Sequence, residues 1–175
     1  MNAPRPTFSH IRQIVLIGVW IVWIVGSGLA HAQSKPISWK LTSVGGEVVP
    51  VDRFRGKVVV VSFGATWCPP CREELPALQE LAERYQSKGV QVIWISVDDQ
   101  KVSNAQLREF AGRLGLKIPV LRDPDTSAYA EVGDGSLPTQ VIIDRGGKLV
   151  GSPQVGFSNR ATFVSDMSAR LDRVL

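Results

Sequence analysis

The two cysteines of the chain, Cys68 and Cys71, are the residues best suited to chemistry. Two residues separate them, so a disulfide between them closes a very short loop and adds little to the stability of a fold. A reversible redox role explains the pair better than an inert structural bridge. A zinc site is not expected, because no other cysteine exists and the only histidines, His10 and His31, lie in the N-terminal segment. The sequence therefore predicts neither a metal nor an organic cofactor.

The elements around this motif give the two sulfurs different roles. Residues 58–63 are apolar apart from Ser62 and predict a buried strand. Apolar residues at three- and four-residue intervals over residues 71–86 predict an amphipathic helix. Cys68 then lies at the helix N-terminus, where free N–H groups and the helix dipole favour a thiolate. We predict that Cys68 is the attacking sulfur and that Cys71, inside the helix, is the less exposed resolving sulfur.

Strand and helix patterns alternate along the rest of the chain. A hairpin is predicted around Gly45 and Gly46, before the motif. Further strands are predicted at residues 90–97, 118–121, 139–143 and 148–152, and helices after Ser103, from Asp125 to residue 132, and after Ser158 or Asn159. This order predicts an α/β fold with a mixed central sheet, helices on both of its faces and an N-terminal β-hairpin extension.

The first 32 residues have the layout of a secretory signal peptide. A cationic start with Arg5 and Arg12 precedes an apolar run at residues 14–25, and small residues follow up to Ala32. We predict export, cleavage after Ala32 and a periplasmic or otherwise extracytoplasmic location.

An uncleaved membrane anchor is the alternative for this segment, because residues 11–29 are just long enough to cross a bilayer. In both cases residues 33–175 form the working domain. The formal net charge of the whole chain is only +4, and residues 1–32 contribute arginines but no acid, so the domain is nearly neutral. This balance argues against nucleic-acid binding.

The sequence FGATWCPPCREELP at residues 63–76 resembles the TlpA/ResA branch of thioredoxin-like proteins. Arg-Gly-Lys at 55–57 and Leu-Pro-Thr at 137–139 extend the resemblance over nearly the whole domain. It implies a thioredoxin-like monomer that reduces disulfides in client proteins, in some members during cytochrome c maturation or copper-site assembly in cytochrome oxidase. Outside the cytoplasm, a return to the reduced form would need a membrane conduit that carries electrons from cytoplasmic thiols.

Glu74 is the candidate proton carrier. It lies about 60° from Cys71 around the helix, whereas Glu73 faces away. Ser62 occupies the position where thioredoxins have a buried aspartate, so a carboxylate from the helix is the natural replacement. The alternative is that Glu74 is an ordinary solvated helix residue.

The resemblance also assigns the surface that contacts a client. Pro138 matches a cis-proline held against the CxxC motif, which exposes the backbone of Leu137 for pairing with an extended client segment. Gly64 stands where relatives often carry tryptophan, which opens space beside the motif. The predicted contact residues are Trp67, Pro69, Pro70, Leu137, Pro138 and Thr139.

Two alternative functions remain open from the sequence. The protein could introduce or reshuffle disulfides, since sequence does not set the reduction potential. It could also be a non-catalytic binding module or a copper carrier, although a domain without histidine is poorly suited to a stable copper site. Thr139 replaces the glutamate that commonly follows the proline in the dedicated cytochrome c maturation branch, which favours the broader TlpA-like group.

Overall fold

The structure, a computed structural model, describes residues 35–175, and these are built around one seven-stranded sheet. The strands are β1 (Lys40–Ser43), β2 (Val48–Pro50), β3 (Val58–Gly64), β4 (Val90–Ser96), β5 (Val120–Arg122), β6 (Thr139–Ile143) and β7 (Leu149–Val155). Their order is β2-β1-β5-β4-β3-β6-β7, with β3, β4 and β5 parallel and the other neighbours antiparallel. The mixed sheet and the N-terminal hairpin are as predicted. The predicted signal segment, residues 1–32, lies outside the described residues.

Helical elements cover both faces of the sheet, but they differ in kind. The α-helices are α1 (Pro69–Tyr85), α2 (Asn104–Arg113) and α3 (Arg160–Leu171). All three bury residues in one core cluster with Val58 and Val60 of β3. The opposite cluster is covered by Trp39 beside the hairpin and by two 3-10 helices, Val51–Phe54 and Tyr129–Glu131. The α1 helix connects β3 to β4 and α2 connects β4 to β5, so both connections cross the sheet in the same direction. Because such connections between parallel strands are right-handed, both helices lie on the same face.

The β3 strand and the α1 helix form the frame of the site. All seven residues of β3 are buried, as expected of a valine-rich central strand covered on both faces. The α1 helix continues past Pro76, as predicted, and a 3-10 turn (Gln86–Lys88) ends it at Gly89, which adopts a φ of 80°. None of the helices in residues 35–175 is both long and apolar enough to span a bilayer.

The helix predicted from Asp125 to residue 132 is wrong. Thr126 adopts a φ of 58°, which breaks a helical backbone directly after Asp125. The buried carboxylate of Asp123 instead accepts hydrogen bonds from the N–H groups of Ala128 at 3.2 Å and Tyr129 at 2.8 Å. Only the 3-10 helix forms, and Asp123 rather than Asp125 supports its start.

Candidate active site

Cys68 and Cys71 lie at the junction of β3 and α1. Cys68 is the N-cap residue of α1, with a φ of −90° and a ψ of 110°. Its Sγ accepts a hydrogen bond from the backbone N–H of Cys71 at 3.3 Å. The two residues form a disulfide and their Cα atoms are 5.3 Å apart. The Cys68 sulfur therefore lies at the start of the helix, as the sequence predicted, and the N–H that contacts it there is that of Cys71, because Pro69 and Pro70 have none.

The two cysteines differ in exposure in the predicted direction. Cys68 is 4% exposed and Cys71 is completely buried. Beside Cys68, Trp67 is 69% exposed and Pro69 is exposed, while Pro70 is half-buried. Cys68 thus lies directly beside exposed apolar side chains, and Cys71 lies deeper in the protein.

A buried carboxylate that the sequence analysis missed holds the loop before Cys68. The Asp98 carboxylate, 1% exposed, accepts hydrogen bonds from the Thr66 N–H at 3.0 and 3.2 Å and from the Thr66 hydroxyl at 2.7 Å. It also accepts one from the Ser96 hydroxyl at 2.7 Å. Asp98 follows a buried strand parallel to β3, so its position at the same sheet edge as the motif was the available signal. The network fixes the backbone two residues before the attacking sulfur.

Glu74 is fully buried, so the interpretation of it as a solvated helix residue is wrong. Its Oε2 accepts a hydrogen bond from the Ser62 hydroxyl at 2.8 Å. Burial raises the pKa of Glu74 from 4.5 to about 8, against smaller opposing effects of hydrogen bonds from Ser62 and Gln140. Glu73, on the same turn, is exposed as predicted. Ser62 lacks the acid group that thioredoxins carry at its position, and Glu74 of α1 provides a buried carboxyl beside it instead.

Gln140 completes this buried polar group. It pairs with Ser62 across β3 and β6, and its side chain is also fully buried. Glu74 Oε1 and Gln140 Oε1 accept no hydrogen bond from any residue that the structure describes. A protonated carboxyl can donate where an ionised one cannot, which agrees with the raised pKa of Glu74. The sequence did not reveal Gln140, because its contact depends on the pairing of β3 with β6.

The loop before β6 lies against the cysteines. The Leu137–Pro138 peptide bond is cis, as predicted, and half-buried Leu137 packs against the cluster formed by Ala65, Cys68 and Cys71. The carbonyl of Pro138 accepts a hydrogen bond from the Gly156 N–H at 2.8 Å.

Thr139 does not fit its predicted contact with a client. It is fully buried, and its hydroxyl donates to the carbonyl of Ser136 at 2.7 Å. This side chain supports the proline turn. Of the predicted contact residues, Trp67 and Pro69 are exposed, Pro70 and Leu137 are half-buried, and Pro138 is buried. Within residues 35–175 no cluster of three or more histidine, cysteine or acidic side chains is placed to hold a metal ion.

Known proteins share sequence similarity with this chain over most of its length. The profile of the Redoxin family matches residues 28–171. The thiol-disulfide oxidoreductase ResA of Bacillus thuringiensis (strain Al Hakam) is 34% identical over 110 residues, which are 63% of this chain and 62% of that protein. ResA of Geobacillus thermodenitrificans (strain NG80-2) is 38% identical over 96 residues, 55% of this chain and 53% of that protein. The chain thus spans about three fifths or less of the length of these curated relatives.

Solved structures show the same fold. A thiol:disulfide interchange protein of the thioredoxin family from Chlorobium tepidum TLS superposes with a TM-score of 0.62 at 26% identity, covering 78% of this chain and 97% of that one. A secreted disulfide oxidoreductase of Mycobacterium tuberculosis, with a TM-score of 0.62, 20% identity and coverage of 75% and 96%, supports the fold alone. The predicted thioredoxin-like architecture and the resemblance to ResA are confirmed, and the chain belongs to the Redoxin family.

Proposed function

We propose that this protein is a thiol-disulfide oxidoreductase that reduces disulfides in client proteins. The observation that carries the proposal is the asymmetric pair at the start of α1: Cys68 caps the helix beside exposed apolar residues, and Cys71 is buried one turn further on. The names of the ResA relatives support the same chemistry. The exposed apolar side chains of Trp67 and Pro69 beside Cys68 suit contact with a protein segment.

The reaction proceeds in two exchanges. The Cys68 thiolate attacks one sulfur of a client disulfide, forms a mixed disulfide and releases the other client sulfur as a thiolate. The Cys71 thiolate then attacks the Sγ atom of Cys68, which forms the internal disulfide and releases the second client sulfur. The client gains two electrons and two protons, and the protein loses the same number.

The ionised form of Glu74, a minority of the molecules at neutral pH because burial raises the pKa of this carboxyl to about 8, takes up the proton that Cys71 loses. A buried thiol must be deprotonated before it can attack, and water does not reach Cys71 directly. Burial raises the pKa of Glu74 to about 8, near the ordinary thiol value of about 8.5, so this carboxyl is a better proton partner for a thiol than an ordinary glutamate is. A hydrogen bond from the Ser62 hydroxyl holds the carboxyl in place.

We propose the location, the electron source and the clients of this protein from its sequence. The cationic and apolar pattern of residues 1–32 supports export, with the domain working outside the cytoplasm as a monomer. Such a location needs an external supply of electrons, and we propose a membrane conduit that passes them from cytoplasmic thiols to the Cys68–Cys71 disulfide. Proteins of cytochrome c maturation or of copper-site assembly are the proposed clients, through the resemblance to the TlpA/ResA branch.

Equilibration with glutathione buffers tests the direction of the reaction. A reductant requires a low reduction potential, close to the thioredoxin value of about −270 mV. A strong disulfide-forming oxidant has a reduction potential of about −120 mV. A value near the oxidant end would replace the proposal with disulfide formation. In the exporting cell, a Cys71→Ser variant should retain its clients as mixed disulfides on Cys68, and a Cys68→Ser variant is the matched control that should retain none.

A further inference from the structure

Trp94 presents a buried hydrogen-bond donor that the oxidised protein does not use. The residue belongs to β4, is fully buried and packs its indole ring against Phe110 of α2, with ring centroids 5.8 Å apart. Its Nε1 has no acceptor among residues 35–175. Buried N–H groups are nearly always paired, because an unpaired donor keeps the full cost of its lost hydration. This donor therefore requires an explanation.

The position of Gly64 shows where that donor lies. A Cβ atom added to Gly64 would be 2.8 Å from Trp94 Nε1, 3.1 Å from Cys71 Cβ and 3.4 Å from Cys71 Sγ. The indole nitrogen and the Cys71 sulfur therefore border the same small space. That space exists because residue 64, the last residue of β3, has no side chain.

The oxidised and reduced forms of Cys71 differ as acceptors for this donor. In the disulfide form no hydrogen bond joins Trp94 Nε1 to a sulfur. Opening of the disulfide leaves a thiol or a thiolate on Cys71, and an anionic sulfur is a much stronger acceptor than a disulfide sulfur. We propose that Trp94 donates its indole N–H to Cys71 once the disulfide opens and thereby stabilises the attacking Cys71 thiolate.

The surroundings of Cys71 make such a donor important. Ala65, Val97 and Leu137, which pack with the cysteines in one cluster, are apolar. Cys68 and Glu74 are the buried titratable groups within three residues of Cys71, and their ionised forms disfavour a second negative charge on it, whereas Arg72 and Glu73 are exposed. The Trp94 N–H counteracts both effects without adding a charge.

The inference rests on the proposed role of Cys71 as the resolving thiol. A larger thiolate fraction on Cys71 at neutral pH speeds the step that releases the client from Cys68. Removal of the indole N–H should therefore slow client release, and it should leave the first attack by Cys68 unchanged.

Titration of Cys71 alone tests the proposal. In the purified chain carrying Cys68→Ala, Cys71 is the single cysteine, and the ultraviolet absorbance of its thiolate follows its protonation. Addition of Trp94→Phe should raise the pKa of Cys71 by about one to two units, the range expected for loss of a hydrogen bond to a charged group. Trp39→Phe is the matched control, because the Trp39 Nε1 is also buried and unpaired but belongs to the core cluster on the opposite face of the sheet.

A second substitution separates loss of the N–H from loss of ring volume. Benzothienylalanine at position 94 keeps the bicyclic shape of the side chain and replaces the N–H by sulfur, so it should shift the pKa of Cys71 as Trp94→Phe does. An unchanged pKa with benzothienylalanine, or an equal shift with Trp39→Phe, would overturn the assignment of Trp94. This readout is independent of disulfide reduction by the unaltered protein, so failure of the inference would leave the proposed function standing.

Discussion

Replacement of Glu74 by glutamine should change how the stability of the fold depends on pH. The folded protein holds the Glu74 proton up to about pH 8, whereas the unfolded chain releases it near the ordinary value of 4.5. Between these values the unfolded state loses its proton first, so the free energy of unfolding of the natural protein falls as pH rises. The contribution is fully present below about pH 4.5 and is lost by the time the pH exceeds about 8.

The size of the effect follows from the separation of the two pKa values. Each unit is worth about 1.4 kcal/mol, so the loss reaches about 3 kcal/mol by pH 7 and about 5 kcal/mol above pH 8. Glu74→Gln keeps the shape of the side chain but cannot ionise, so this slope should vanish. The uncharged amide can also still accept the hydrogen bond from Ser62.

Urea unfolding of the disulfide form at several pH values from 5 to 9, followed by circular dichroism, measures the effect. Glu73→Gln is the matched control, because it makes the same substitution at an exposed residue of the same helical turn. In the Glu73→Gln variant the free energy of unfolding should fall with rising pH as steeply as in the natural protein. Equal slopes for Glu74→Gln and the natural protein would refute the reasoning that a buried, protonated carboxyl lies beneath the motif.

Three further predictions concern the kinetics, the loop before the motif and the N-terminal segment. Glu74→Gln should slow the reduction of a small disulfide by about 10² to 10⁴, as expected for loss of general acid or base help, and Glu73→Gln should not; equal rates for the two variants in a stopped-flow assay would exclude a proton-transfer role. Asp98→Ala should lower the free energy of unfolding by about 2 to 4 kcal/mol, because the Thr66 N–H and the Thr66 and Ser96 hydroxyls lose their hydrogen-bond acceptor. The control Asp99→Ala, at an exposed residue, should have little effect in the same urea titration. Protein isolated from the native envelope should begin after Ala32, and an intact apolar segment in its mass spectrum would show an uncleaved anchor instead.

The central part of the fold and site could be read from the sequence because it depends on local patterns. The apolar run of β3, the periodicity of α1 and the CxxC spacing are sufficient to place Cys68 at a helix N-terminus and Cys71 inside it. The same helical geometry placed Glu74 on the inner face. The cis bond before Pro138 came from the family resemblance and not from local physics, since most X-Pro bonds are trans.

The features that were missed depend on contacts between distant segments. Asp98 reaches Thr66 only because β3 and β4 are parallel and end at the same edge of the sheet. Gln140 lies opposite Ser62, the hydrogen-bond partner of Glu74, only through the pairing of β6 with β3. Burial of Thr139 likewise follows from the fold of the proline turn, which no local pattern reveals. Sequence periodicity gives the face of one element but not the partner across the sheet.

The assignment of attack to Cys68 and of release to Cys71 is the central claim, and intact-mass analysis tests it most directly. Reduced protein is mixed with oxidised glutathione and quenched with acid over time. The natural protein should end as the internal disulfide without an adduct, Cys71→Ser should accumulate one glutathione on Cys68, and Cys68→Ser should form little adduct on the buried Cys71. Formation of the adduct by Cys68→Ser as fast as by Cys71→Ser would contradict the account.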